Sequence, residues 1–141
     1  AASGFLSGMV REPLAGLRAC VPVSAGTAVA LASPASTIAG LLAALTTGAQ
    51  AWGPRTALNL PALSTTVGDI AAALGRVAGP AALDLLDWQP DDRVAAIVGA
   101  WPSRFEAARA RGLGLLPDAS VDALVAQYVR EYRDAIHLPL T

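Results

Sequence analysis

Apolar residues recur every three or four positions in several segments of the chain, which is the spacing of helices that bury one face. The clearest segment follows Ser33, which has the properties of an N-cap, and stops at Gly48. Its apolar residues at helical spacing are Ile38, Leu41, Leu42 and Leu45. The pattern predicts an Ala-rich core helix beside a strand. It also favours a compatible second interpretation, in which much of this surface packs on something that is absent from the chain.

Five further helical segments have weaker or shorter signals. Thr66 and Asp69 form a capping-box pattern at the start of one helix, and Asp91 can cap the next. The last helix is expected from about residue 120 to 135, and a shorter helical stretch from 104 to 111. Residues 3–11 also have modest helical patterning, and Pro13 is expected to close that segment.

Short runs of apolar residues between these helices predict strands at 19–23, 28–32, 56–60 and 87–89. A long series of alternating strands and helices is not present, so a self-contained doubly wound sheet is not expected. The pattern favours one α+β domain over residues 1–141, a small lobe of helices with a few short strands. Such strands lack obvious hairpin turns and are expected to need partners.

The charged residues are unevenly distributed: every residue from Ala19 to Pro54 is uncharged. The net charge of the whole chain is −1. A net charge so close to zero gives the protein no broad attraction to nucleic acid or to an anionic membrane. A predicted helix start at Ser33-Pro34 divides this stretch, and the apolar residues that follow it are too few for a membrane span. A single cysteine and a single histidine argue against a disulfide and a zinc site. We therefore expect a cytoplasmic, metal-free domain.

Residues for catalysis or cofactor binding are not recognisable in the sequence. The chain contains no lysine, which excludes mechanisms that need a lysine amine from this polypeptide. Gly112-Leu113-Gly114 begins like a dinucleotide fingerprint, but position 117 is Pro where a third glycine is required. Tyr128 and Tyr132 are interpreted as core residues of the last helix, and His137 as a solvated residue of the tail.

Two arginines are the remaining candidates for ligand binding. Arg11 follows a segment rich in serine and glycine, and Arg104 follows Pro102-Ser103. A guanidinium group binds carboxylates and phosphates through two parallel hydrogen bonds, so either residue can hold an anionic ligand. The alternative for each is an ion pair at the surface or between domains.

Several segments resemble, in order, the carboxy-terminal part of extended short-chain dehydrogenases/reductases, the NAD-dependent epimerase/dehydratase family. The likeness is greatest to D-erythronate dehydrogenase-like members. The segments that carry it are Ala1–Phe5, Arg11–Gly16, Ser33-Pro34, Gly53–Arg55 with Asn59–Pro61, Ser64–Gly68, and Trp101-Pro102 with Phe105, Ala108–Ala110 and Leu113-Gly114. The sequence differs from the family pattern at Ala35, where relatives tend to have Arg, and at Glu106, where they favour Asp.

The resemblance implies a substrate-binding lobe that packs on an amino-terminal Rossmann domain, which binds NAD and carries the catalytic Tyr-x-x-x-Lys pair. No NAD-binding or catalytic residue is then expected in this chain, which alone should be inactive. The implied substrate-binding residues are Ser3, Phe5, Ser7, Arg11, Ser33 and Arg104. The absence of Arg at position 35 weakens the case for an anion contact there.

Two functional hypotheses follow. The first is the substrate-binding lobe of an NAD-dependent oxidoreductase or epimerase that acts on a small sugar acid or related polyol. The alternative is a non-enzymatic module that uses its charge-poor face for self-association or for binding another protein. An independent hydrolase is disfavoured because the sequence has no nucleophile elbow and its one histidine lies near the end.

Overall fold

The computed structural model of the protein describes residues 4–54 and 57–140, in which helices alternate with short strands. The helices are α1 (Gly4–Leu14), α2 (Pro34–Thr46), α3 (Ala49–Trp52), α4 (Val67–Ala78), α5 (Pro80–Leu83), α6 (Asp92–Gly99), α7 (Ala108–Gly112) and α8 (Val121–Glu131). The strands are β1 (Ala19–Val21), β2 (Ala28–Leu31), β3 (Leu63–Thr66) and β4 (Leu86–Trp88). The predicted α+β class is confirmed.

The strands form two separate pairs. β1 lies parallel to β4, with Ala19 opposite Leu86, and β2 lies antiparallel to β3, with Ala28 opposite Thr66. A two-stranded sheet of three or four residues is not stable alone in water, so both pairs depend on the helices that cover them.

The strand predicted at 56–60 is wrong for its described part, because residues 57–60 have no regular structure. The chain forms β3 a few residues later, in a segment that the sequence analysis assigned to the start of a helix. Thr66 serves both elements: it pairs with Ala28 and it caps α4.

Helix α4 lies at the centre of the core. Ile70 and Leu74 on its inner face are almost completely buried, together with Met9 of α1 and Val125 of α8. The predicted capping box is present: the hydroxyl of Thr66 accepts a hydrogen bond from the backbone N–H of Asp69 at 3.1 Å, and the carboxylate of Asp69 accepts one from the backbone N–H of Thr66 at 3.1 Å. The hydrogen bond from the Thr66 hydroxyl, followed by that from its backbone, lowers the pKa of Asp69. These contacts fix the start of the central helix.

Helix α1 continues past the position where Pro13 was expected to end it. Pro13 lies in the last turn and is buried, and the helix ends one residue later at Leu14. Proline has no N–H for the helical ladder, but its side chain is removed from water here. The carbonyl of Leu14 accepts hydrogen bonds from the backbone N–H groups of His137 at 2.9 Å and Leu138 at 3.0 Å, which ties the C-terminal segment to α1.

A second, smaller cluster of buried side chains joins α7 to the segment after α3. Its buried members are Ala107, Ala110 and Leu115. Arg109 donates hydrogen bonds to the backbone carbonyls of Ala57, at 2.9 Å, and of Trp52, and its guanidinium lies 5.4 Å from the centre of the Trp52 ring. Helix α7 is shorter than the predicted stretch 104–111, and Glu106 before it accepts a hydrogen bond from the backbone N–H of Ala108 at 3.0 Å.

Candidate functional site

A cleft of about 540 Å³ lies between α1, α8 and the turn from β2 into α2. Its volume is within the usual range of small-molecule sites, and most of its lining is apolar. The polar and charged residues of the lining are Ser7, Arg11, Ser33, Gln127, Tyr128, Glu131 and Tyr132. An apolar pocket with a few convergent polar groups is the usual form of a binding site for a small molecule.

The α1 side of the cleft has Ser7 and Arg11, which lie one helical turn apart on the same face. The Ser7 hydroxyl donates a hydrogen bond to the carbonyl of Gly4 at 3.0 Å, so its oxygen can still accept one from a ligand. The guanidinium of Arg11 makes no hydrogen bond or ion pair with any residue that the structure describes. Its five N–H donors are available to an anion.

The turn from β2 into α2 is fixed by Asp118. The carboxylate of Asp118 accepts three hydrogen bonds, each of 2.7 Å, from the backbone N–H of Ser33 and from the hydroxyl groups of Ser33 and Ser36. The Ser33 oxygen also accepts a bond from the backbone N–H of Ser36 at 3.0 Å, which makes Ser33 the N-cap of α2 as predicted. Only 2% of Ser33 is exposed, so its hydroxyl serves this network.

The same network occupies the N-terminus of α2 with a negative charge. Helix N-termini attract anions, but Asp118 already takes the Ser33 backbone N–H there. Burial raises the pKa of Asp118, but the hydrogen bonds from Ser33 and Ser36 together outweigh burial and hold that pKa below its ordinary value. An anionic ligand in the cleft would therefore rely on Arg11.

The α8 side of the cleft contains two pairs of side chains, each four residues apart. The rings of Tyr128 and Tyr132 stack with their centres 4.8 Å apart and an angle of 23° between planes. The amide nitrogen of Gln127 donates a hydrogen bond to Glu131 at 2.7 Å. The interpretation of both tyrosines as core residues is wrong for Tyr132, which is 47% exposed, whereas Tyr128 is partly buried and packs against the core.

The structure brings three of the predicted substrate-binding residues together in this cleft: Ser7, Arg11 and Ser33. Phe5 packs against the core and Arg104 is exposed in the segment between α6 and α7, and neither belongs to the cleft lining. Ser3 lies outside the described residues.

The sequence analysis did not identify Asp118, Gln127 or Glu131. For Gln127 and Glu131, the spacing of four residues on a helix next to Tyr128 and Tyr132 was an available signal.

Within the described residues, no group suited to a dinucleotide or a metal was found. Gly112 ends α7 and Gly114, with φ of +82°, lies in the turn that follows, so these glycines do not connect a strand to a helix as a dinucleotide loop requires. The described part of the chain contains no cluster of His, Cys, Asp and Glu that could hold a metal ion. None of its helices has the length and apolar character needed to cross a membrane.

Comparison with solved structures places the fold among sugar-nucleotide epimerases and related dehydrogenases. A nucleoside-diphosphate-sugar epimerase from Agrobacterium tumefaciens superposes with a TM-score of 0.91 and 35% sequence identity, over 96% of this chain and 40% of that one. L-threonine 3-dehydrogenase from Trypanosoma brucei covers the whole chain with a TM-score of 0.79, but at 16% identity it shows the fold alone. No protein-family model matches the sequence.

Curated relatives narrow the relationship. D-erythronate dehydrogenase from Cupriavidus necator is 41% identical over 131 residues, and that from Haemophilus influenzae is 33% identical over 129 residues. These alignments include 93% and 92% of this chain, but the chain spans only about 40% of the length of the relatives. The chain is therefore homologous to the carboxy-terminal part of extended short-chain dehydrogenases/reductases, and the expected resemblance is confirmed.

Proposed function

We propose that this chain is the substrate-binding lobe of an NAD-dependent oxidoreductase or epimerase, and that the cleft between α1 and α8 takes a small sugar acid or related polyol. The observation that carries the proposal is the position of Arg11, a cation without a described partner on a largely apolar cleft of about 540 Å³. The relatives named D-erythronate dehydrogenase support a hydroxy acid as the ligand.

In this proposal Arg11 binds the carboxylate of the ligand, and Ser7 accepts a hydrogen bond from one of its hydroxyl groups. The chain has no lysine, so it does not supply the catalytic Tyr-x-x-x-Lys pair that the resemblance implies. Its contribution in this proposal is to bind and orient the substrate. NAD and the catalytic residues would belong to a separate dinucleotide-binding domain.

Ser33 has a positioning role in this proposal, because its hydroxyl bonds to Asp118 and holds the turn that forms one side of the cleft. Ser3, Phe5 and Arg104 stay predicted substrate contacts, and a cytoplasmic location also stays a prediction.

Titration of D-erythronate into the ¹⁵N-labelled chain tests the proposal. We expect chemical-shift changes at amides of α1 and α8, and Arg11→Ala should weaken binding by about tenfold or more, since it removes charged hydrogen bonds. Arg18→Ala, which removes an exposed arginine outside the cleft lining, should leave the affinity unchanged. Equal affinity of the Arg11→Ala variant, or tight stoichiometric binding of NAD to the chain, would contradict the proposal.

A self-association module is the second candidate function, because α2 presents an apolar face to solvent. The exposed fractions of Ile38, Leu41, Leu42 and Leu45 are 57%, 57%, 58% and 82%. Exposed apolar patches mark surfaces that another protein surface covers. In the leading proposal the surface that covers this face of α2 belongs to a dinucleotide-binding domain. In the second candidate function, the covering surface belongs to another copy of the chain.

A further inference from the structure

The lining of the cleft contains two charged residues, one cation and one anion. Arg11 lies on α1, whereas Glu131 is the last residue of α8. The two side chains form no ion pair with each other in the described part of the chain. The cleft therefore keeps one positive and one negative group available to a ligand.

Glu131 is an exposed residue whose carboxylate has one described partner. The amide of Gln127 donates to one of its oxygens at 2.7 Å, and the other oxygen has no described partner. Glu131 also lies at the C-terminus of α8, where the helix dipole is negative. Glu131 thus places a negative charge on the α8 side of the cleft, and its carboxylate can accept a hydrogen bond from a ligand hydroxyl.

We propose that Glu131 determines the specificity of the cleft for ligands with a single negative charge. A hydroxy acid places its carboxylate at Arg11 and a neutral hydroxyl at Glu131. A ligand with a second carboxylate places that group beside the carboxylate of Glu131. The repulsion between these two negative charges weakens its binding, and a repulsive contact of this kind lets a site discriminate between similar ligands. This inference rests on the proposed function of the cleft.

A matched pair of ligands tests the inference on the 141-residue chain. D-erythronate and meso-tartrate have the same four carbons, and they differ in whether the terminal carbon is a neutral alcohol or a second carboxylate. At neutral pH, wild-type protein should bind erythronate about tenfold or more tightly than meso-tartrate. Glu131→Gln should strengthen meso-tartrate binding about fivefold or more and change erythronate binding by less than about twofold.

Asp84→Asn provides the control for net charge, because it removes an exposed carboxylate outside the cleft lining and should leave the ratio of affinities unchanged. Amide spectra of each variant establish that it is folded. If erythronate binds and the wild type does not discriminate, or Glu131→Gln does not favour meso-tartrate, the role of Glu131 is overturned and the proposed function survives. If erythronate does not bind, both proposals fail.

Discussion

At the scale of single residues, Asp118 supports the cleft through contacts that are distant in sequence. Its three hydrogen bonds join the segment before α8 to the start of α2. Asp118→Ala would leave the Ser33 backbone N–H and two hydroxyl groups without this acceptor. We expect a loss of about 2 kcal/mol in the free energy of unfolding, measured by urea denaturation. A loss below about 0.5 kcal/mol would mean that water replaces the carboxylate at little cost.

The pKa of Asp118 gives this contact a pH dependence. The pKa is lower in the folded protein than the ordinary value of 3.8, so the unfolded chain takes up a proton first as the pH falls. The stabilisation is therefore complete above about pH 5 and is lost as the pH falls through 4 and below.

Asp118→Asn should consequently reduce the loss of unfolding free energy between about pH 5 and pH 3, measured by urea denaturation at each pH. The loss should not vanish, because the pKa values of Asp69 and Asp122 are also lowered, by hydrogen bonds from Thr66 and from Arg76 respectively. Asp84→Asn serves as the control and should retain the wild-type dependence. An unchanged slope in Asp118→Asn would exclude Asp118 as a contributor to acid sensitivity.

At the scale of elements, the two faces of α2 have opposite environments. Gly40 faces the protein so closely that a Cβ at this position would lie 2.7 Å from a methyl carbon of Leu60. The opposite face carries Leu45, which is 82% exposed. The helix is therefore positioned by its small-residue side, while its large side chains point into solvent.

Leu45→Ser should change the free energy of unfolding by no more than about 0.5 kcal/mol, because the side chain has little contact to lose. Leu74→Ala in the centre of α4 should cost about 3 kcal/mol, since Leu74 is completely buried. Urea denaturation at low protein concentration measures both values. A large loss for Leu45→Ser would show that the exposed face is covered in solution.

The elements that the sequence predicted well are those with local end signals. Ser33, Thr66, Asp91 and Ser120 each accept a hydrogen bond from the first turn of the helix that follows, so a few adjacent residues determine these boundaries. Strand β3 was missed because its pairing with β2 is a tertiary contact and its residues are mostly polar. Helix α1 extends one residue past the expected stop and buries Pro13 in its last turn, and this burial is a tertiary contact that the local pattern does not show.

The residues of the cleft also divide into those with a local sequence signal and those that only tertiary contacts bring into place. Ser7 and Arg11 were predicted as candidates from one segment of sequence, and the structure places both on the lining. The contact between Ser33 and Asp118 spans 85 residues, so no local pattern could indicate it. The side of α8 that faces the cleft depends on how that helix packs against α4, which also requires the tertiary structure.

At the scale of the whole molecule, the exposed face of α2 is small compared with a stable dimer interface. A helix of 13 residues is about 20 Å long and about 10 Å wide, so the projected outline of one face is roughly 200 Å² and its apolar side chains are only part of what a dimer interface contains. Specific dimers that persist at low concentration bury about 800 Å² on each partner. The face alone is therefore suited to be part of a larger contact, as it would be against a dinucleotide-binding domain.

Sedimentation of the chain over a wide concentration range separates the two candidate functions. We expect a monomer at low micromolar concentration, with reversible dimers forming only at hundreds of micromolar, because so small an apolar face cannot offset the entropy of association. Leu41→Ser combined with Leu45→Ser should abolish that weak association, whereas Leu17→Ser, which removes an exposed leucine away from α2, should retain it. A dimer that persists at nanomolar concentration and dissociates in the α2 variant would favour the self-association module, since a face that forms only part of a larger contact would not give such affinity.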